Sequence, residues 1–405
     1  MKKEKILFAN DLGYGCVKAS LNNEEILVPS LSSIVMAQNN ETPLAFNENN
    51  LKAFASSIYD NLNVSIESPS VETDLQLFVG SAATKNPLNL RHLDLNAENG
   101  KSTDDLSVVL TLSIIAAKRV KMAIENNEDL SSELAAEVTM AAALPIMEGK
   151  YGNTLETYKK RYAGHKHKVI FHNFDKEIKV NITFEKVMIV FEGEVAQYYL
   201  QYPDDGLKAS LENSFENDYG TKGNITANDI VNAESVLGID IGEGTTDIVS
   251  VIGHQSNRAS SESLKQGYGS VLTGAIEELN SKGMMIKDRS YLVASLNLPT
   301  NKFNKARKDN IRAVIRKQMK PFVDNILQSV SSVISKSGMA PELVFVYGGG
   351  SIPMRSESNL REKLVKSLDS FSMGYDVPVI WINKDYAQLM NERGLKKLVD
   401  EIAEV

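Results

Sequence analysis

The stretch Leu237–Val251 reads LGIDIGEGTTDIVSV, and its pattern is strand, tight polar turn, strand. The first apolar run ends at Asp240. Gly242 and Gly244 follow, then Thr245 and Thr246, then Asp247 and a second apolar run. Two glycines let the backbone close tightly around a bulky group, and such a turn exposes amide N–H groups and hydroxyls. An acidic residue on each side can position water or hold a hydrated cation. This chemistry suits a phosphate–metal complex; on these residues alone an ordinary glycine-rich hairpin fits equally well.

A second copy changes the balance. Near the N-terminus, KILFANDLGYGCVKASL gives an apolar strand, then Asp11, Gly13, Tyr14 and Gly15, then another strand-like run ending at Leu21. Two such hairpins, one opening the chain and one past its middle, argue for two related lobes facing one nucleotide. A third glycine cluster lies in LVFVYGGGSIPM, where a β-rich run meets Gly348, Gly349, Gly350 and Ser351. Pro353 suits a helix start there. A turn of this kind lets a flat ring or a sugar lie against bare backbone.

In this order the three motifs resemble the nucleotide-binding set of the actin, Hsp70 and sugar-kinase superfamily. Asp11–Gly15 resembles its first phosphate loop, Asp240–Asp247 its second, and Val346–Ile352 its adenosine loop. The segment AAALPIMEG, around Leu144 and Pro145, is the candidate connection between lobes. LPIMEGKYGN, the hairpin-like KHKVIFHNFDKEIKVNITFEKVMIV and then FEGEVAQYYL resemble the arrangement in the bacterial plasmid-segregation actins of the ParM and Alp7A type. The resemblance covers most of the chain. It implies an α/β, two-lobed actin-like ATPase fold with duplicated ribonuclease-H-like domains and a nucleotide cleft between them.

Composition sets the bounds. The 405 residues suffice for two domains, and 42% hydrophobic with 24% charged residues is ordinary for a globular protein. A net charge of −8 argues against wholesale electrostatic binding to DNA. Cys16 is the one cysteine, so no internal disulfide forms; a small buried residue is its simplest role. MKKEK leads into an apolar run too short for a signal peptide, and no segment reaches membrane-spanning length. These features fit a soluble cytoplasmic protein.

The first lobe is expected over residues 1–200, with a small subdomain inserted at about 31–100. The second is expected over 234–405, with an insert at about 270–335 and a terminal helix able to pack back on the first lobe. Residues 203–233 are rich in acids and amides and read as a polar surface insertion. Strands mixed with helices at these spacings give an α/β class. Gly267 and Gly269 precede a helix whose first amides either meet phosphate or simply begin the helix. Lys302–Lys320 reads as a basic helix with a solvated face, followed by an amphipathic helix ending at Gly338.

Site roles follow from the resemblance. Asp11 and Asp240 would flank the phosphates and hold Mg²⁺ mainly through its water shell, as that reluctantly dehydrated ion prefers. Gly13, Tyr14 and Gly15 would offer amides to the phosphates, as would Gly242, Glu243, Gly244 and Thr245 beside Thr246 on the facing turn. Lys18 stands where the family often keeps a lysine on the β- and γ-phosphates; the alternative is a solvated strand lysine. The water-positioning glutamate matches Glu192, with Glu194 as rival; the plain alternative is two acids favoured in a helix's first turn. Asp247 either caps the turn or polarises water. Gly348, Gly349 and Gly350 would pack on adenine and ribose, with Ser351 adding a hydrogen bond.

Other chemistries lack support in the sequence. The five histidines show no His–Glu–x–x–His spacing, no Gly-x-Ser-x-Gly elbow occurs, and GYGCVKAS lacks the Walker lysine spacing. The resemblance therefore implies a filament-forming ATPase that binds ATP or ADP, with GTP as a substitute, and Mg²⁺. It would drive plasmid DNA segregation through a DNA-bound adaptor of the ParR type, without contacting bases or membrane itself. The alternatives are a sugar or acyl kinase of the same superfamily and a cell-shape or division actin homologue.

Overall fold

The computed structural model describes residues 3–72, 75–94, 100–149, 152–220, 225–372 and 374–404. The chain forms two compact units. One comprises Met1–Leu144, Glu148–Val195 and Asn391–Val405; the other comprises Pro145–Met147 and Ala196–Met390.

The first unit is built on a ten-stranded sheet. Its strands are β1 (Lys3–Leu12), β2 (Cys16–Leu21), β3 (Glu24–Pro29), β4 (Leu31–Ile34), β5 (Leu62–Glu67), β6 (Leu77–Val79), β7 (Arg91–His92), β8 (Leu134–Leu144), β9 (Lys166–Phe171) and β10 (Ile178–Phe191). They lie in the order β3-β2-β1-β8-β10-β9-β5-β6-β4-β7. β1, β2 and β3 form an antiparallel meander, whereas β8 is parallel to both β1 and β10. Parallel partners on both sides account for the nearly unbroken apolar sequence LAAEVTMAAAL in β8. The helix Asp105–Glu125 packs on this sheet and buries residues all round, from Leu106 to Ile124. Asp104 caps it by accepting the Leu106 N–H at 2.9 Å. The terminal helix Met390–Glu404 also lies on this unit, with Leu395 and Val399 against Ala9, Ala141, Ala143 and Val195.

The second unit repeats the plan in shorter form. Its strands are β11 (Ser235–Ile241), β12 (Thr246–Ile252), β13 (Gln255–Ser256), β14 (Glu262–Leu264), β15 (Leu343–Tyr347) and β16 (Val379–Trp381). The order is β13-β12-β11-β15-β16, with β14 also pairing β12. An antiparallel hairpin is again followed by two parallel strands: β11–β12, then β15 and β16, matching β1–β2, then β8 and β10. The chain therefore has a duplicated α/β architecture.

Two regions differ from expectation. Residues 203–233, read as a polar excursion, contain the helix Asp205–Tyr219, which buries Leu207, Leu211 and Phe215. Its apolar residues recur at four-residue spacing, so one stripe suffices to dock a mostly polar segment; residues 221–224 lie outside the described residues. The basic and amphipathic stretches after residue 302 form one helix, Lys305–Ser337, with Pro321 inside it. Buried residues on both sides of the proline, among them Ile315, Met319, Phe322 and Ile326, keep the two halves in one packed stripe. Lys308 is not solvated: its ammonium donates to the Leu296 carbonyl at 2.9 Å and to that of Leu298, at the end of the helix Arg289–Asn297. Among the described residues no helix is long and apolar enough to cross a membrane.

Candidate functional site

The two hairpins superimpose in register. Asp11 faces Lys18 across β1–β2, and Asp240 faces Asp247 across β11–β12. The turns close in the same way, the Gly13 amide donating to the Cys16 carbonyl at 3.1 Å and the Gly242 amide to the Thr245 carbonyl at 2.9 Å. A Cβ on Gly13 would lie 2.8 Å from the Cys16 carbonyl oxygen, and one on Gly242 3.1 Å from that of Thr245. The first turn therefore has no room for a side chain at Gly13, and the second has only tight room at Gly242. Gly13 and Gly242 thus spend their own amides inside the hairpins, a correction to the expectation that they donate outward. The turn carbonyls are also tied back. Ser30 donates its hydroxyl to the Gly13 carbonyl at 2.6 Å, and the Tyr268 and Gly269 amides donate to those of Gly242 and Glu243, each at 2.9 Å. The start of the helix Tyr268–Ser281 therefore anchors the second turn.

In the first unit, Lys18 pairs with buried Asp11 at 2.7 Å and is not a solvated strand lysine. Glu192 directly follows β10 and is buried, whereas Glu194 begins the next helix and is half-buried. The Glu192 amide donates to the Leu144 carbonyl at 2.8 Å, and Gly193 donates to Asn391 Oδ1 at 3.1 Å. The Glu192 carboxylate meets Lys101, whose side chain is 1% exposed, with Nζ 2.5 Å from Oε1. The same ammonium lies 4.6 Å from the centre of the Tyr14 ring, and the Tyr14 hydroxyl donates to Glu148 Oε1 at 3.2 Å. Burial alone would lower the Lys101 pKa; Glu192, Glu148 and Asp11 outweigh it and hold it above the usual lysine value. Burial raises the Glu148 pKa despite the opposing pull of Lys101. Asp11, Tyr14 and Glu192, singled out from sequence, are thus joined by two residues that were not.

In the second unit, the glycine loop after β15 folds over the second hairpin. Gly348 has φ +89°, and a Cβ there would lie 2.3 Å from Asp240 Oδ1. The Gly350 amide donates to the Ile241 carbonyl at 2.8 Å, and the nearest side chain to Gly349 is that of Gln388. Thr245 donates its hydroxyl to Asp247 Oδ2 at 3.3 Å. Glu243 pairs with Arg289 at 3.0 Å near the surface, a contact contributing about 0–1 kcal/mol. Gly244 lies in the same turn. Two hydroxyls within these motifs are taken up by the chain itself. Thr246 is buried and donates its hydroxyl to the Gln266 carbonyl at 2.8 Å. Ser351 is buried, donates its hydroxyl to the Gly348 carbonyl at 2.7 Å, and through its backbone carbonyl accepts the Trp381 indole N–H at 3.0 Å. Both hydroxyls fasten the loops that the glycines form.

Behind Asp240 stands a pair that no sequence motif marks. Gln197 donates to the Tyr347 hydroxyl at 3.2 Å, and burial together with the nearby Asp240 keeps that phenol protonated. Among the described residues, no three His, Cys, Asp or Glu side chains are grouped to hold a metal ion directly.

A buried acid gives a pH test of the first unit. Glu392 is 1% exposed, and neither carboxylate oxygen has a hydrogen-bond partner among the described residues. Burial first, then the charges of Glu25 and Asp11, push its pKa up to about 7 from 4.5, against Arg393 and Lys396. The folded chain thus holds a proton that the unfolded chain releases, and stability falls as pH rises from about 4.5 through about 7. Glu392→Gln is expected to be more stable than the parent at pH 8, by up to about 3 kcal/mol, and equal to it at pH 4. Urea denaturation at both pH values checks this; a pH-independent difference would contradict it.

Comparison with known proteins places this arrangement. The domain family described as actin-like proteins, N-terminal domain, matches residues 9–194, and the archaeal actin homologue MreB-like C-terminal domain matches residues 238–361. No curated protein sequence matches the chain. Among solved structures, the actin-like protein Alp7A aligns at 15% identity and TM-score 0.66, over 99% of this chain and 98% of that one. Bacillus thuringiensis ParM with ATP aligns at 16% identity and TM-score 0.61, over the whole of both chains. The archaeal actin homologue Ta0583 aligns at 13% identity and TM-score 0.56, over 98% and 99% of the two chains. Both domain matches fall on the two repeated hairpin units, so the chain is built of an actin-like N-terminal domain and an MreB-like C-terminal domain, and its fold is the one found in ParM and Alp7A.

Proposed function

We propose that this protein binds and hydrolyses ATP, assembles into filaments when nucleotide is bound, and moves plasmid DNA through a DNA-bound adaptor. The observation that carries the reading is the repeated hairpin, with Asp11 and Asp240 at equivalent positions beside turns of equivalent geometry. The ParM structures with ATP, AMPPNP and ADP support nucleotide as the ligand of such a fold.

The residues divide the work. The turn tips, Tyr14 and Gly15 on one hairpin and Glu243 and Gly244 on the other, present amides to phosphate oxygens. Lys18, already beside Asp11, adds a positive charge to that side. Asp240 faces Asp247 across its hairpin, and Asp240, like Asp11 on the other hairpin, would hold the hydration shell of Mg²⁺. That ion, when bound with the phosphates, supplies neutralisation of the charge developing on the transferred group. The flat backbone of Gly348–Gly350 takes the nucleoside. Glu192 orients the attacking water; phosphoryl transfer asks for little more than positioning and charge stabilisation.

The test is phosphate release by the purified protein with ATP, in Mg²⁺ and in excess EDTA, without any added acceptor. Steady release that requires Mg²⁺ is expected. Release only when a sugar or acyl acceptor is added would overturn the reading in favour of a kinase.

A further inference from the structure

We propose that Lys101 is the positioning residue for Glu192, holding its carboxylate in the place and charge state that water activation requires. The inference rests on the reading of Glu192 as the water-orienting group.

Three observations converge. Lys101 is buried, yet its ammonium reaches Glu192 Oε1 at 2.5 Å, so the contact is shielded from solvent and salt. The segment that carries it is itself fixed. The Ser107 hydroxyl donates to the Lys101 carbonyl at 2.7 Å, the Ser102 amide donates to Glu148 Oε2 at 3.2 Å, and Arg161 donates to the Ser102 carbonyl at 3.2 Å. Finally, the far side of the ammonium faces Tyr14 at the tip of the first hairpin. One side chain thus ties the phosphate loop to the glutamate at the end of β10.

Surface salt bridges do not have this construction. A buried lysine is costly to desolvate and persists only where acids compensate it. Here the compensating groups are Glu192 after β10, Glu148 from the helix Ile146–Gly149 and, further off, Asp11 of β1, itself paired with Lys18. Without Lys101, the Glu192 and Glu148 carboxylates would lose the cation they share and leave two like charges around its buried place. One of them would take up a proton, and a protonated glutamate accepts no proton from water.

The experiment compares four proteins: the parent, Glu192→Gln, Glu148→Gln and the double variant Lys101→Met/Glu148→Gln. The double variant removes one buried acid along with the cation, which spares the fold the clash that Lys101→Met alone would create. Its folding is checked by thermal melting, and Lys101→Arg, which keeps the charge, is measured in parallel. Nucleotide affinity is read with a fluorescent ATP analogue, and kcat is followed from pH 6 to pH 9.

Read against Glu148→Gln, the double variant is expected to lose about tenfold or more in kcat at pH 7 while binding nucleotide within about threefold. The acid limb of its kcat profile should move up by about one pH unit or more, and Lys101→Arg should recover part of the rate. An unchanged kcat and pH profile in the double variant overturns the inference, as does a fall in nucleotide affinity large enough to account for the lost rate. If the double variant does not fold, Lys101→Gln/Glu148→Gln, which keeps a polar head in the pocket, is read in the same way, and an unchanged kcat and pH profile there overturns it too. A parent protein that hydrolyses no ATP removes the parent reading and this inference together. A parent that hydrolyses ATP, with Glu192→Gln slow and the Lys101 variants unaffected, removes the inference alone.

Discussion

Glu192→Gln is expected to slow ATP hydrolysis about 100–1,000-fold while leaving nucleotide bound with near-parental affinity. The substitution keeps the shape of the side chain and removes its negative charge. The backbone around it is fixed independently, by the Leu144 carbonyl and by Asn391, so the site need not collapse. Lys101 keeps Glu148 as a compensating acid. The stability loss should therefore fall below the roughly 3–5 kcal/mol of a fully stranded buried charge. If filaments form on ATP binding and fall apart after hydrolysis, this variant should assemble with ATP and persist. Single-turnover phosphate release beside an equilibrium binding measurement separates the two effects. Parental turnover would remove Glu192 from the mechanism and direct attention to Glu194.

Asp240→Ala is expected to have the broader effect, abolishing Mg²⁺-dependent turnover by about 100-fold or more and weakening nucleotide binding as well. Asp240 ends β11, whose backbone ladders to β12 and β15 do not depend on its side chain. The fold should hold, because removing the carboxylate relieves charge beside Asp247 and Tyr347. Loss of Mg²⁺ dependence is the specific signature: turnover in the variant should respond little to added Mg²⁺, in contrast with Glu192→Gln. Circular dichroism confirms folding, and titration of phosphate release with Mg²⁺ checks the role. A parental Mg²⁺ response would rule it out.

The repeated architecture was legible because it rests on local patterns. An apolar run, an aspartate and spaced glycines specify a strand and a tight turn at both Asp11 and Asp240, and the structure places them in the same register. The glycine run after Tyr347 was equally readable, since only glycine takes the backbone conformation at Gly348 next to Asp240. Hydroxyl roles were harder. Thr246 and Ser351 sit within the expected motifs, but their hydrogen bonds go to backbone carbonyls, and nothing in a linear sequence says which way a hydroxyl turns. Lys101 and Glu148 lay beyond reach altogether. Lys101 is an ordinary charged residue in a polar stretch and Glu148 a lone acid after an apolar run, and only the tertiary fold reveals that Lys101 is buried and that Glu148 stands beside it. The docked helix Asp205–Tyr219 was hidden for a related reason: three apolar residues among acids and amides are too few to stand out until a neighbouring surface gives them a face.

The central claim is that nucleotide drives this actin-like protein into filaments. Right-angle light scattering across a range of protein concentrations, with Mg²⁺ and either ATP, ADP or no nucleotide, tests it most directly. The account predicts a sharp rise above a critical concentration with ATP, little without nucleotide, and decay as ATP is consumed. Scattering that stays flat with ATP over a wide range of concentration and salt, in protein that hydrolyses ATP, would contradict it.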